Sequence, residues 1–304
     1  MRIEQIEIYQ YKIRLKKPFK ISLSLHEYAE NVIVAIRTNN GITGFGECSP
    51  FMLINGESME TCFIVAQYLA KSLIAKDPLN IKLCSLLMDS IIYGNSSIKS
   101  AFDIALYDIA SQNACLPLYA FLGGTNNKTI ITDYTVSLDE PKKMAEEANQ
   151  IKDNGFQVIK IKLGESKDKD ISRIRHIREA IGNELPIRID ANQGWDTATA
   201  INILNALSPY NIQYCEEPIP RWNFMELSTV RKQSKIPIMV DESCCDHNDA
   251  KRLIDLLACD FINVKLGKSS GITKAEIIIR LAENAGIQMQ VGGFLESKIG
   301  RAHV

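Results

Sequence analysis

The sequence lacks several features that mark whole classes of protein. No apolar run approaches membrane-span length, so no transmembrane helix is expected. The opening MRIEQIEIYQYKIRL alternates charged and apolar residues and has no continuous apolar stretch of the kind a secretory leader needs. Charge of one sign is also missing. The 35 basic and 36 acidic residues leave a net charge of −1, so no overall field favours nucleic acid. No CxxC is formed. The eight cysteines fall at irregular spacings and read as buried thiols of a cytoplasmic protein, not as a disulfide framework. No G-x-G-x-x-G follows the first strand of the repeating part, which argues against dinucleotide binding. What is present is ordinary and globular. With 46% apolar residues the chain can bury a substantial core, and disorder is excluded. Its 304 residues suit two domains, or one large α/β barrel with an attached piece.

The front of the chain differs in pattern from the rest. Residues 3–15 and 31–37 read as strands, and Asn39-Asn40-Gly41 is a hairpin signal because Asn and Gly accept positive φ. Ile98, Phe102, Ala105, Leu106 and Ile109 fall on one helical face, and Gly123-Gly124 marks a break. From Thr129 short apolar strands alternate with helices: IITDYTVS, QVIKIKL, PIRID, IQYCEE, IPIMVDES, FINVKLG and IQMQVGG. Strand–helix repetition at roughly 25–30 residues is the mark of parallel βαβ units. The expected fold is therefore α/β. An N-terminal α+β capping domain (1–124) precedes a (β/α)8-type barrel domain (125–304) with seven visible strands, an eighth being absent from the sequence. A doubly wound sheet also accommodates seven strands.

The informative feature is where charges fall on these strands. Lys160 and Lys162 lie two apart in VIKIKLG and so point to one side of their strand. Asp190, Glu216 (with Glu217), Asp241 (with Glu242) and Lys265 end the next four strands, one βα unit apart. In a parallel barrel successive strand ends converge on one mouth, where barrel enzymes keep their active sites. Three carboxylates gathered there are costly unless paired, and oxygen-only ligands favour a hard ion such as Mg²⁺ over Zn²⁺. An octahedral Mg²⁺ would keep positions open for a substrate carboxylate and would stabilise the enediolate left when the α-proton departs. Lys162 and Lys265, from opposite sides of the mouth, would remove a proton from one face and return one to the other, inverting a stereocentre. Lys265 alone also fits a Schiff-base lysine in an aldolase-like barrel.

Taken singly, these residues have plainer readings. One strand-end carboxylate is usually a helix cap or an ion-pair partner, and one KxK is usually a solvated face. It is their combination on five consecutive strand ends that points to a site. His26, His176, His247 and His303 share no ligand-like spacing, and His176 in its Arg-rich helix reads as solvated. Cys244-Cys245 reads as a pair of inert thiols, and Trp195 of NQGW as packing above a loop.

The same residues carry a resemblance. KKPFK, GFGE, SAFDIALYDIA with LPLYAFLGG, TDYTVS, KIKLG, RIDANQGW, EEPIP, DES, NVKLGKSSGI and GGFLESKIG run through nearly the whole chain. They resemble the enolase superfamily in its muconate-lactonizing subgroup, and most of all the dipeptide epimerases, of which L-Ala-D/L-Glu epimerases are the best-known type. A lysine base with Mg²⁺ is general enolase-type chemistry. The resemblance implies Asp190, Glu216 and Asp241 as Mg²⁺ ligands, Lys162 and Lys265 as the two acid/base lysines, and Lys160 as a binder of the substrate carboxylate. It implies that Thr135, Gly293, Phe294 and Leu295 line the substrate. The capping domain, through the loop from Phe19 to His26 and the segment near Ile54, would read the side chain. Glu216 opens EEP where relatives commonly have EQP, so Glu217 puts a carboxylate in place of an amide.

Two departures bear on the substrate. Epimerases acting on Ala-Glu carry an Arg in the first capping loop, and an ungapped reading from KPFK places Ser24 there. Without that guanidinium a buried substrate carboxylate lacks its partner, so the resemblance implies L-Ala-X with a neutral or small X in preference to Glu. The family's Asp-x-Asp for the substrate ammonium, on an eighth strand, does not follow Lys265. The implied function is a cytoplasmic Mg²⁺-dependent dipeptide epimerase of cell-wall peptide turnover, acting on a small-molecule substrate without nucleic acid or membrane and compatible with a homo-oligomer. The alternatives are N-acyl amino acid racemisation, o-succinylbenzoate synthesis and muconate cycloisomerisation, and a non-catalytic truncated homologue.

Overall fold

The structure is a computed structural model and describes residues 1–125 and 129–300; His303 lies outside them. Three antiparallel strands open it, in the order β1 (Ile3–Lys20), β2 (Leu25–Thr38) and β3 (Thr43–Cys48). The hairpin expected at Asn39–Gly41 joins β2 to β3, with Gly41 at φ 89°. Both leading strands run further than hydropathy indicates, because the β1–β2 ladder continues to Lys20 and Leu25 past a register shift between Arg14 and Phe19. Residues there are largely exposed, so alternation of burial does not mark them.

The helix Ser96–Asn113 packs on this sheet, as its apolar stripe requires. The two glycines of GFGE make the close approach. A Cβ on Gly46 would lie 1.8 Å from the Ala101 carbonyl oxygen, and one on Gly44 2.2 Å from that of Ala105. Val32, Val34, Ile36, Leu69, Phe102 and Leu106 form the core of this part.

The seven expected strands all form, as one parallel sheet whose spatial order is the chain order. They are β4 (Tyr134–Val136), β5 (Ile159–Lys162), β6 (Ile187–Asp190), β7 (Ile212–Glu216), β8 (Ile238–Val240), β9 (Phe261–Lys265) and β10 (Gln288–Gly292). That order excludes the doubly wound alternative, whose strand order reverses at a switch point. It is the winding of a (β/α)8 barrel. Among the described residues β4 and β10 are the outer strands. Amphipathic helices between the strands bury Ile174, Ile177, Ile203, Leu204 and Leu253 against the sheet. No described helix is long and apolar enough to cross a membrane.

Candidate active site

The register of the parallel sheet assembles the site. Lys162 of β5 pairs with Asp190 of β6, and Asp190 pairs with Glu216 of β7, so three of the expected residues share one rung. Asp241 follows β8 directly, and Lys265 ends β9 opposite Gly292. Just beyond the carboxylates the backbone turns sharply, with positive φ at Asn192 (41°), Gln193 (67°) and Glu217 (36°). Non-glycine residues bear that conformation at a cost, and it is concentrated at functional turns.

The result is a mouth of alternating buried charge. Asp190, Glu216, Glu217 and Asp241 are fully enclosed and Glu242 nearly so, while Lys160, Lys162, Lys265 and Lys268 are each less than a tenth exposed. Lys160 Nζ bridges Glu216 Oε2 (2.6 Å) and Asp190 Oδ2 (2.8 Å). Lys162 Nζ donates to Asp190 Oδ2 (2.7 Å) and to Asn192 Oδ1 (2.8 Å). Lys265 Nζ lies 2.6 Å from Asp241 Oδ2. Lys268 binds the carbonyls of Asp241, Cys244 (2.9 Å) and Asn263 (3.1 Å), tying three segments together beneath the mouth.

The environments separate the two lysines at the cavity wall. Burial pulls the Lys162 ammonium below its ordinary value, and the neighbouring Lys160 charge adds to this against Asp190. Lys265 is also buried, but Asp241 and Glu216 outweigh the burial and raise it. Burial works against Lys160 too, and Asp190 with Glu216 carry it well above the ordinary lysine range. Asp190 resists burial through Lys160 and Lys162 and falls to about 2. Burial and the Asp190 charge push Glu216 up. Glu217, raised by burial to about 7, accepts the backbone N–H groups of Asp241 (2.6 Å) and Ser243 (3.2 Å). Glu217 therefore braces the turn that carries Asp241.

The three lysines Lys160, Lys162 and Lys265 border a cavity of about 400 Å³, in the range of small-molecule sites, while Asp190, Glu216 and Asp241 are not among its lining residues. Lys160, Lys162, Lys265, Thr135, Ile54, Gly293, Phe294 and Leu295 all line it. An aromatic ring covers each wall lysine: Phe19 lies 5.8 Å from Lys162 Nζ and Phe294 4.7 Å from Lys265 Nζ.

Some expectations are corrected. Ser24 does not reach the cavity wall. Its hydroxyl lies 2.7 Å from His26 Nε2, and it is His26 that lines the pocket, tilted against Phe51 at 4.7 Å. His176 is half-buried, with Nδ1 2.8 Å from the Ser172 carbonyl. Of the eight cysteines, all free, Cys115 is exposed. Burial raises the Cys244 thiol, and Cys245 to about 11, as inert thiols require. Trp195 is buried, its Nε1 donating to Asp170 at 2.9 Å. Strand-end spacing does not single out Asn192, Asn263 or Lys268. Asn263 Nδ2 donates to Glu216 Oε1 (2.9 Å), and its place two residues before Lys265 on β9 is the signal that marks it.

Among the described residues no three His, Cys, Asp or Glu side chains are drawn together as a finished metal cluster, because lysines hold the carboxylate oxygens. The donor set nonetheless suits a hard cation. It is all oxygen and wholly buried, and Glu242 Oε2 and Asn263 Oδ1 are enclosed without a hydrogen-bond partner, while Asp241 Oδ1 lies 2.7 Å from Lys268 Nζ.

Comparison with known proteins agrees with this geometry. The family described as mandelate racemase / muconate lactonizing enzyme, N-terminal domain, matches residues 4–123, and the family described as enolase C-terminal domain-like matches residues 143–304. A D-Ala-D/L-Ala epimerase from Cytophaga hutchinsonii is 61% identical over 307 residues, covering 100% of this chain and 83% of its own. A hydrophobic dipeptide epimerase from Enterococcus faecalis is 39% identical, covering 97% and 83%. The crystal structure of the Cytophaga hutchinsonii dipeptide epimerase, complexed with Mg and D-Ala-L-Val, superposes with a TM-score of 0.98 at 61% identity over 99% of this chain and 82% of its own. That of the Enterococcus faecalis enzyme, complexed with Mg and L-Leu-L-Tyr, gives 0.96 at 38% identity, over 99% and 85%. A capping sheet, a parallel barrel sheet and a mouth of carboxylates and lysines are thus joined in one chain, which belongs to the enolase superfamily.

Proposed function

We propose that this protein is a Mg²⁺-dependent dipeptide epimerase acting at the α-carbon of a small dipeptide. The observation that carries the reading is the meeting of Lys162 and Lys265 in one cavity beside three buried carboxylates on successive strand ends. The relatives named above supply the dipeptide. Residues 1–124 act as the cap and 125–304 as the barrel domain. The eight free cysteines support a cytoplasmic setting.

Asp190, Glu216 and Asp241 would hold the ion. When bound, it sets positive charge against the substrate carboxylate and acidifies the adjacent α-C–H. The remaining work falls to the chain. Lys160 presents an ammonium to the substrate carboxylate. Lys162, whose proton affinity burial lowers, takes the α-proton onto Nζ as the C–H bond breaks. Lys265, at the cavity wall beside Asp241, gives a proton from Nζ to the opposite face. The reverse direction exchanges the roles. One deprotonated and one protonated lysine is the pairing a 1,1-proton transfer needs.

The second residue of the substrate would meet His26, Phe51, Ile54 and Leu295, all of which line the cavity. Burial lowers the proton affinity of His26, so this wall offers little to a carboxylate and favours L-Ala followed by a small or neutral residue. The test is a dipeptide library incubated with enzyme and Mg²⁺ in D₂O. One deuterium gained per molecule, with interconversion of stereoisomers for Ala-Ala-like members, supports the reading. Loss of water without exchange in recovered substrate would indicate a synthase instead.

A further inference from the structure

Glu47 ends the GFGE motif on β3 and is 1% exposed. Its carboxylate gathers donors from both parts of the molecule. Oε1 accepts the Ser297 backbone N–H (2.9 Å), Asn31 Nδ2 (2.7 Å) and the Tyr11 hydroxyl. Oε2 accepts the Gly300 N–H (3.0 Å) and the Ser297 hydroxyl. Asn31 Nδ2 also reaches the Leu295 carbonyl at 2.9 Å. A carboxylate is buried at high cost unless donors satisfy it, and five donors fix what they belong to. Here they fix the segment that follows β10.

That segment carries Phe294, whose ring covers Lys265 Nζ and stacks on Phe51 with centroids 6.1 Å apart. The ring over Lys162 is held differently. Phe19 sits in the β1–β2 ladder, paired with His26. The two rings thus differ in their direct supports, the anchored segment for Phe294 and the strand ladder for Phe19, with Phe51 and His26 lying between them.

We propose that Glu47 is a positioning residue for one half of the reaction: it anchors Leu295–Gly300 from the cap, so that Phe294 stays over Lys265 and proton transfer on that face is kept in register. The inference rests on the reading of Lys265 as a proton-transfer lysine. Glu47 itself touches no reacting atom. A merely structural carboxylate would, when lost, weaken both faces alike.

The variants are Glu47→Gln, which puts an amide among five donors, and Ser297→Ala, on an exposed residue, which remains informative if the first variant does not fold. The readouts are α-proton exchange in D₂O for each substrate stereoisomer separately, and backbone amide exchange over residues 293–300. In Glu47→Gln, exchange of the isomer that depends on Lys265, assigned with Lys265→Ala, should slow ~10-fold or more, while that of the other stays within about twofold. Ser297→Ala should slow the same isomer by about threefold. Amide protection should fall in residues 294–300 in both variants. Equal slowing of both isomers, or no slowing of either, in a folded variant overturns the proposal. If the wild-type protein exchanges no dipeptide, the functional reading fails by itself. Amide exchange then decides the anchoring, and unchanged protection over 294–300 refutes it.

Discussion

Asp170 offers a sharp test of how the chain fixes the backbone that follows Lys162. Its carboxylate is fully buried on the helix Lys167–Ile181 and accepts from four donors. These are the backbone N–H groups of Gly164 (3.2 Å) and Glu165 (3.1 Å), Arg173 Nη1 (2.8 Å) and Trp195 Nε1 (2.9 Å). Asp170→Asn keeps the shape but replaces one acceptor oxygen with a donor and removes the charge opposite a guanidinium that is 2% exposed. Breaking a buried pair by removing one partner costs about 3–5 kcal/mol. The lower end applies, because Arg173 also bonds Glu165 and the Asp139 carbonyl. At ~2.1 cal/mol/K per residue, 304 residues give an unfolding entropy of ~0.64 kcal/mol/K, so a loss of about 3 kcal/mol lowers Tm by roughly 5 °C. Calorimetry should show this drop beside a control, Asp168→Asn, on the exposed first turn of the same helix, where the shift stays within about 1 °C. If Asp170→Asn moves Tm no more than the control, the reasoning about this network is wrong.

Three further outcomes are expected. Ser24→Arg brings a guanidinium behind His26 and should raise kcat/KM for Ala-Glu relative to Ala-Ala by ~10-fold, and an unchanged ratio counts against the placing of this loop. Magnesium at about 100 times its Kd should stabilise the protein by ~2.7 kcal/mol, or roughly 4 °C in Tm, and Asp241→Asn should abolish that increment; an undiminished increment would remove Asp241 from the ligand set. Burial raises Asp103 from 3.8 to about 6 despite its bonds to Thr273 Oγ1 (2.6 Å) and N (3.0 Å). The folded state therefore holds this proton more tightly than the unfolded one, and the group's contribution to stability declines as pH rises through roughly 4 to 6, by up to about 1.4 kcal/mol per pH unit. Denaturant titrations of wild type and Asp103→Asn should differ in slope across that window, and parallel slopes would refute the assignment.

The parts of the fold and site that are legible in the sequence are those that follow a period. Strand ends recur once per βα unit, so the spacing of Asp190, Glu216, Asp241 and Lys265 is enough to announce their convergence. Lys160 and Lys162 follow from the two-residue alternation of a strand. What stays hidden depends on contacts between distant segments. Glu47 and Ser297 are 250 positions apart, and Lys268 is a helix lysine until its amine is found among three carbonyls. His26 lacks any ligand spacing, yet the extension of the β1–β2 ladder carries it to the cavity. Ser24 lies in the expected loop but one contact short of the cavity, because the side chain that lines the cavity is the histidine it supports.

The central claim is that two lysines on opposite faces move one proton each. It is tested most directly by following α-proton exchange in D₂O, stereoisomer by stereoisomer, in folded Lys162→Ala and Lys265→Ala. The account predicts that neither variant interconverts the isomers and that each still exchanges one isomer, a different one in each variant. Full epimerisation by either variant, or exchange of the same isomer by both, would contradict it.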